Sequence, residues 1–289
     1  ARGSVIACIS NGLNRTTSLW RRAAGTRLAG LLAHSAVPCW LKMMELLSDP
    51  WTLALAMLAV AILGLAKGGF SGLGALATPL LALALPPVTA AALLLPVLLV
   101  QDVISVWSYR KTWDRWIVGW MLPGALVGVA LGAVLAVAVP EEKLLVLLGA
   151  ITLAFGLYRL WLERGGRIVA PSNSPGWIGT LFGVATGFTS QIAHAGGPPF
   201  QMWVTPRRLP HQVFVGTSSI TFAAINWMKV PSYGALGSFN WSVLQAAALL
   251  MPLAIVTTLA GVWLVRRMDT ARFYSLIYLL MIALGLRFI

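Results

Sequence analysis

The chain has 289 residues and a formal charge of +13, with 58% hydrophobic and only 10% charged residues. A soluble domain carries about 25% charged residues to present a wet surface, so this composition excludes one, and a mean hydropathy of +0.83 points to lipid instead. The basic residues stand in short clusters between apolar runs, which fits the positive-inside pattern of membrane topology and excludes the contiguous basic footprint that nucleic acid needs.

Residues 1–42 read as an N-terminal extension. Arg2, Arg15, Arg21, Arg22 and Arg27 precede an apolar run, Leu28 to Trp40, that His34 and Pro38 interrupt and that is too short to span. A targeting peptide with Arg21-Arg22 as a faint twin-arginine echo is one reading. A disordered, dispensable or misassigned extension, with translation starting at Met43 or Met44, is the favoured one.

Residues 43–289 read as the transmembrane domain, with ten helical segments: Trp51–Ala66, Leu73–Leu85, Val88–Trp107, Trp116–Val139, Lys143–Leu162, Gly176–Ile192, Pro198–Thr205, His211–Val230, Trp241–Val265 and Thr270–Phe288. A hydrocarbon core roughly 30 Å thick takes about 20 helical residues, and the runs are continuous rather than alternating, which favours helices over a barrel. The second and seventh segments are too short to cross. Each follows a glycine-rich break and reads as the returning arm of a re-entrant pair.

The linker 163–175, with its Gly, Pro, Ser and Asn, separates repeat one (51–162) from repeat two (176–289). Pro86 and Val88 onward correspond to Pro210 and Gln212 onward at an offset of 124. Each half runs long helix, break, short helix, then three spans. That is an odd number of crossings, so the expected fold is all-α and polytopic with two inverted-topology repeats. Loop charges follow: the Arg110, Lys111, Arg115 loop is basic where Pro231–Asn240 is uncharged, and Glu141-Glu142-Lys143 corresponds to a loop with Arg266, Arg267 and Arg272. Arg159, Arg164, Arg167, Arg207 and Arg208 then also fall inside.

Inverted repeats with broken helices bind substrate near the midplane, where unwound backbone meets half-helix ends. The first break supplies Lys67, Gly68, Gly69, Ser71, Gly72 and Gly74; the second supplies Thr189, Ser190, Gln191, His194, Gly196 and Gly197, followed by Pro198-Pro199. Each entering arm is long enough, roughly 25 Å at 1.5 Å per residue, for two tips to overlap near the centre. Glycines permit close backbone approach, and a proline in a first turn exposes a positive helix end that favours an anion. Lys67 could instead snorkel, and His194 could merely pack. Asp102 is the single acid within a predicted span, a functional position by default, and its repeat counterpart is Asn226; these two and His194 are the coupling candidates, although the pair could simply join helices. Thr217 and Ser218 are further binding candidates, with Gln101 and Ser219 weaker.

Cys8 and Cys39 make no disulfide framework or metal spacing, and no zinc, Walker or nucleophile-elbow motif is present. No cofactor, metal or catalytic residue is expected. The expected partners are a small anion and the lipid bilayer, with a homodimer left open.

Lys67-Gly68-Gly69-Phe70 and Ala193-His194-Ala195-Gly196-Gly197-Pro198-Pro199 resemble the two glycine motifs of the TauE/SafE family of sulfite and organosulfonate exporters. Val215-Gly216-Thr217-Ser218 and Asn226 through Pro231 resemble the helix after the second motif, and the likeness covers Trp51 to Ile289. The resemblance implies secondary transport of a small sulfur oxyanion or organosulfonate such as sulfite or sulfoacetate, typically outward, across the bacterial inner membrane. An anion channel of the same architecture is the alternative.

Overall fold

A computed structural model describes residues 49–68, 73–166, 173–239, 241–265 and 281–289. The expected extension, 1–42, lies outside the described residues, as do Gly69, Ser71 and Gly72 and most of the last predicted helix. The chain forms α1 (Pro50–Gly68), a 3-10 turn (Leu73–Leu76) leading into α2 (Ala77–Leu81), α3 (Pro87–Tyr109), α4 (Arg115–Ala138) and α5 (Glu141–Glu163). Then follow α6 (Gly176–Ala193), α7 (Gly197–Val204) with a 3-10 turn (Thr205–Arg207), α8 (His211–Ala235), α9 (Trp241–Val265) and α10 (281–288). The described residues contain no strand, and the protein is an all-α, multi-pass membrane protein.

Local chemistry sets the boundaries. Pro86, Pro140, Pro175 and Pro210 stand at the N-caps of α3, α5, α6 and α8, where the missing N–H costs nothing and the fixed φ suits entry into a helix. Asp114 caps α4 by accepting hydrogen bonds from the amides of Trp116 and Ile117, at 2.9 and 3.0 Å. Asp49 does the same for α1 through the Thr52 hydroxyl and amide (2.7 and 3.0 Å), and those bonds hold its carboxyl below the usual range.

Five helices are long and apolar enough to cross a membrane: Pro50–Lys67, Pro87–Tyr109, Arg115–Ala138, Glu141–Leu162 and Val243–Leu264. Their outer faces are apolar: Val103, Leu126, Leu131, Val134, Val137, Val256 and Leu259 are all exposed. In water such a band would be an aggregation surface; against acyl chains it is the correct solvent face. The polar residues lie inside, with Gln101, Asp102, Ser105, Thr217, Asn226 and Lys229 all buried.

The helices pair across the two halves of the chain. α1 packs on α9 and α6 on α4; α3 meets both α8 and α9, and α4 meets α8. Exchanging the halves leaves these pairings unchanged. The α4–α6 seam is the tightest: a Cβ added at Gly124 or Gly128 would come within 2.0 Å of a carbonyl oxygen of α6, and one at Gly187 within 2.1 Å of the Ala125 oxygen. Lipid supplies no hydrophobic drive between helices, so small residues that let backbones touch carry the association. α7 is held by Phe200 and Trp203, both fully buried against Ile117 and Met121 of α4.

Candidate functional site

The second helix break occurs where the glycines are. α1 stops at Gly68, while α6 stops at Ala193 and leads into His194, whose φ of 53° is left-handed. That conformation is cheap for glycine and uncommon for other residues. His194 nevertheless occupies it, with its amide bonded to the Ser190 carbonyl at 3.1 Å and the next amide, Ala195, bonded to the Thr189 carbonyl at 3.2 Å. The turn throws the imidazole inward, where it is buried with neither ring nitrogen partnered.

Between the breaks lies a cavity of ≈ 80 Å³, space for about three waters. Lys67, Ser190, His194, Gln201, Ser218, Ser219, Asn226 and Lys229 give it a polar lining, and Leu63, Phe200, Phe214 and Phe222 an apolar one. Gly74 and Gly197 approach it as bare backbone.

The charges are arranged unequally. Lys67 at the end of α1 forms an ion pair and hydrogen bond with Asp102 Oδ1 of α3, and its ammonium stands 5.6 Å from the Phe222 ring centroid. The other carboxylate oxygen of Asp102 accepts from Asn226 Nδ2 of α8 at 2.6 Å. Lys229, also on α8, is fully buried and donates to the carbonyl and the hydroxyl of Ser190, both at 3.2 Å. Among the described residues it forms no ion pair. A buried ammonium held only by neutral oxygens is costly unless another charge joins it.

An unsatisfied donor also lines the cavity. Arg159 donates to Gln201 Oε1 at 2.6 Å. Guanidinium has donors only, so it turns the amide oxygen toward itself; Gln201 Nε2 is left buried without a partner. Ammonium, imidazole, amide NH₂ and serine hydroxyls around one small space make a donor-rich, electropositive cradle, the complement of a small anion.

The helix end at α7 contributes less than its sequence suggests. α7 begins at Gly197 rather than Pro198, and Pro198 and Pro199 both lack an N–H, so the backbone donors there reduce to Gly196 and Gly197. The partial charge of the helix end remains.

Several expected residues lie elsewhere. Thr217 is buried at the start of α8, donates to the Val213 carbonyl at 2.7 Å and accepts from the Asp114 amide at 2.9 Å, so it fastens the α3–α4 loop and does not reach the cavity. Thr189 donates to the Ala185 carbonyl of its own helix at 2.8 Å. Gln191 donates to Ser232 Oγ at 3.0 Å and faces a separate, smaller cavity with Tyr233. Gly196 sits under Phe222: a Cβ there would meet its ring at 2.9 Å. Asp102 stands behind Lys67 rather than on the cavity lining.

Lys229, Arg159 and Gln201 were not expected at the site. Lys229 lies one residue from the end of the predicted His211–Val230 helix. In the fold α8 continues through Pro231 to Ala235, as membrane helices can when neighbours satisfy the freed backbone. The rule that flagged Asp102, an ionisable residue within a span, applies equally to this lysine once the helix end is moved.

No curated protein and no solved structure matches the chain. The family model for the sulfite exporter TauE/SafE matches residues 16–288, starting well before Trp51, where the sequence likeness begins. With glycine breaks, spanning helices and donor-lined cavity alike in place, the chain belongs to the TauE/SafE family of membrane sulfite exporters.

Proposed function

We propose that the protein is a secondary carrier that exports a small sulfur oxyanion or organosulfonate across the bacterial inner membrane by alternating access around the cavity between its two breaks. The observation that carries this reading is Lys229: a fully buried lysine, unpaired by any described carboxylate, lining a cavity with the unpartnered His194 ring and Gln201 amide. An anion supplies the missing charge and accepts the orphan hydrogen bonds together. Gly197 lets a ligand approach the backbone, and Phe200, Phe214 and Phe222 exclude water from one side.

Alternating access draws support from the exchange-invariant helix pairings and from Asp102 and Asn226, which bond to each other although 124 residues apart, the offset of the sequence repeat. Ser105 and Lys229 occupy equivalent positions at the same offset. Ser105 donates to the Lys67 carbonyl at the end of α1, and Lys229 to the Ser190 carbonyl near the end of α6, each at 3.2 Å. Two inverted halves rocking about this centre would open the cavity to each side in turn. Proteoliposome flux of sulfite, sulfoacetate, taurine and sulfate tests the reading: saturable flux that follows an imposed ion gradient is expected for at least one of the anions. Flux of none of them would refute the assignment, and flux indifferent to gradients other than the anion's own would favour a channel.

A further inference from the structure

Asp102 occupies Lys67 as a substrate would. Its carboxylate is 2% exposed, and its two oxygens are divided between the Lys67 ammonium and the Asn226 amide. Lys67 also lines the cavity, together with Lys229. Resting on the anion-carrier reading above, we propose that the substrate is taken as a dianion bridging the two ammonium groups, and that it displaces Asp102 from Lys67 so that one proton enters with each anion, on Asp102.

The charge count favours this composition. With both lysines charged, the empty site holds two positive charges and one negative. A dianion added to it would put three negative charges against two positive ones in a low-dielectric space. It would also leave the Asp102 carboxylate beside the anion with only an amide for a partner. Two anionic groups so close do not both stay ionised. Protonation of Asp102 Oδ1 removes the conflict: the loaded site becomes neutral, Oδ2 keeps its bond from Asn226, and the new O–H becomes a donor. A monoanion needs no such exchange, because Lys229 alone neutralises it. The other groups that could take the proton are His194 at the end of α6 and, were its amine neutral in the empty site, Lys229 of α8; α2, α6 and α9 carry no charged side chain, and Arg159 of α5 is turned to Gln201.

Calorimetry of the purified full chain in detergent tests this with sulfoacetate, a dianion, and isethionate, a monoanion of similar length. Each is titrated in two buffers of different ionisation enthalpy. Sulfoacetate is expected to bind at least about tenfold more tightly, to take up about one proton, and to lose affinity about tenfold per pH unit as that proton becomes scarce. Isethionate is expected to bind without proton uptake. In Asp102→Asn, Lys67 has lost its internal competitor, so sulfoacetate should bind more tightly, with no uptake and a flat pH profile. Equal affinity for isethionate overturns the dianion requirement. Wild-type binding of sulfoacetate without a proton overturns the coupling, whether or not the variant folds, and unchanged uptake in Asp102→Asn moves the proton to Lys229 or His194 and overturns the assignment. Binding of neither compound, nor of sulfite, would instead remove the carrier reading on which the inference rests.

Discussion

His194 and Lys229 are both placed against their own interest. A left-handed histidine costs on the order of 1 kcal/mol relative to glycine, and nothing in the turn itself needs an imidazole. His194→Gly should therefore leave thermal stability within about 1 kcal/mol of wild type, since relief of strain offsets the looser unfolded chain. It should weaken anion binding by roughly tenfold, as measured by calorimetry beside a melting curve. Lys67 is a poorer probe than its position in the glycine motif suggests. Lys67→Met would strand the buried Asp102, so lost binding and lost stability would be confounded.

Much of this residue-scale detail was legible in the sequence. Intramembrane polarity marks Lys67, Asp102, Ser190, His194 and Asn226, because charge and amide groups do not enter lipid without a reason. The Lys67–Asp102 contact was not, since its residues stand 35 positions apart, whereas the repeat offset already set Asp102 and Asn226 together as a pair. Lys229 escaped because it lies one residue from the end of the predicted helix, which α8 extends to Ala235. Thr217 was misplaced because polarity does not say which way a hydroxyl points, and this one serves a loop.

At the scale of elements, glycines do more than shape the two breaks. Gly124, Gly128, Gly183 and Gly187 bring the α4 and α6 backbones into contact, with no room for a Cβ on any of the four. Gly128→Ala and Gly187→Ala should each destabilise by about 1–3 kcal/mol through overpacking. Gly119→Ala on the same helix, where nothing lies within 4 Å, should be neutral or slightly stabilising. Equal melting temperatures for Gly119→Ala and Gly128→Ala in detergent would contradict the seam. The starts of the long helices were legible to within two residues from the apolar runs. The seam was not, because its small residues sit among many others in an apolar run, and only the paired helix shows which of them face a backbone. The short arms were legible for a different reason: eight residues of α7 cannot cross 30 Å whatever packs against them.

For the whole molecule, the topology rests on charge. The basic α3–α4 loop and the turn after α7 meet at one end of the bundle, where the Arg207 guanidinium lies 4.6 Å from the Trp116 ring and 4.3 Å from the Trp203 ring. Arg110 stacks over Trp107 at 3.8 Å. Arginines with tryptophans form the belt expected at a membrane–water interface. Single cysteines replacing Arg110, Arg164 and Arg207 should be labelled from the cytoplasmic side only, and those replacing Glu141 and Gly237 from the opposite side only. Labelling of positions 110 and 237 from the same face would break the inverted arrangement.

Anion binding in the cavity turns on Lys229. Lys229→Met keeps most of the volume and removes a buried charge that no described carboxylate neutralises. Replacing such a charge by a well-packed apolar side chain is commonly neutral or stabilising. The variant should thus melt at or above the wild-type temperature, while its dissociation constant for the transported anion rises roughly 10- to 150-fold, or about 1.5–3 kcal/mol for a charged hydrogen bond. The direct measurement is that anion affinity in detergent, wild type against Lys229→Met, with melting curves on the same samples. Weaker binding in a protein at least as stable is the expected result; unchanged affinity would mean that the cavity at the two breaks is not where the anion binds.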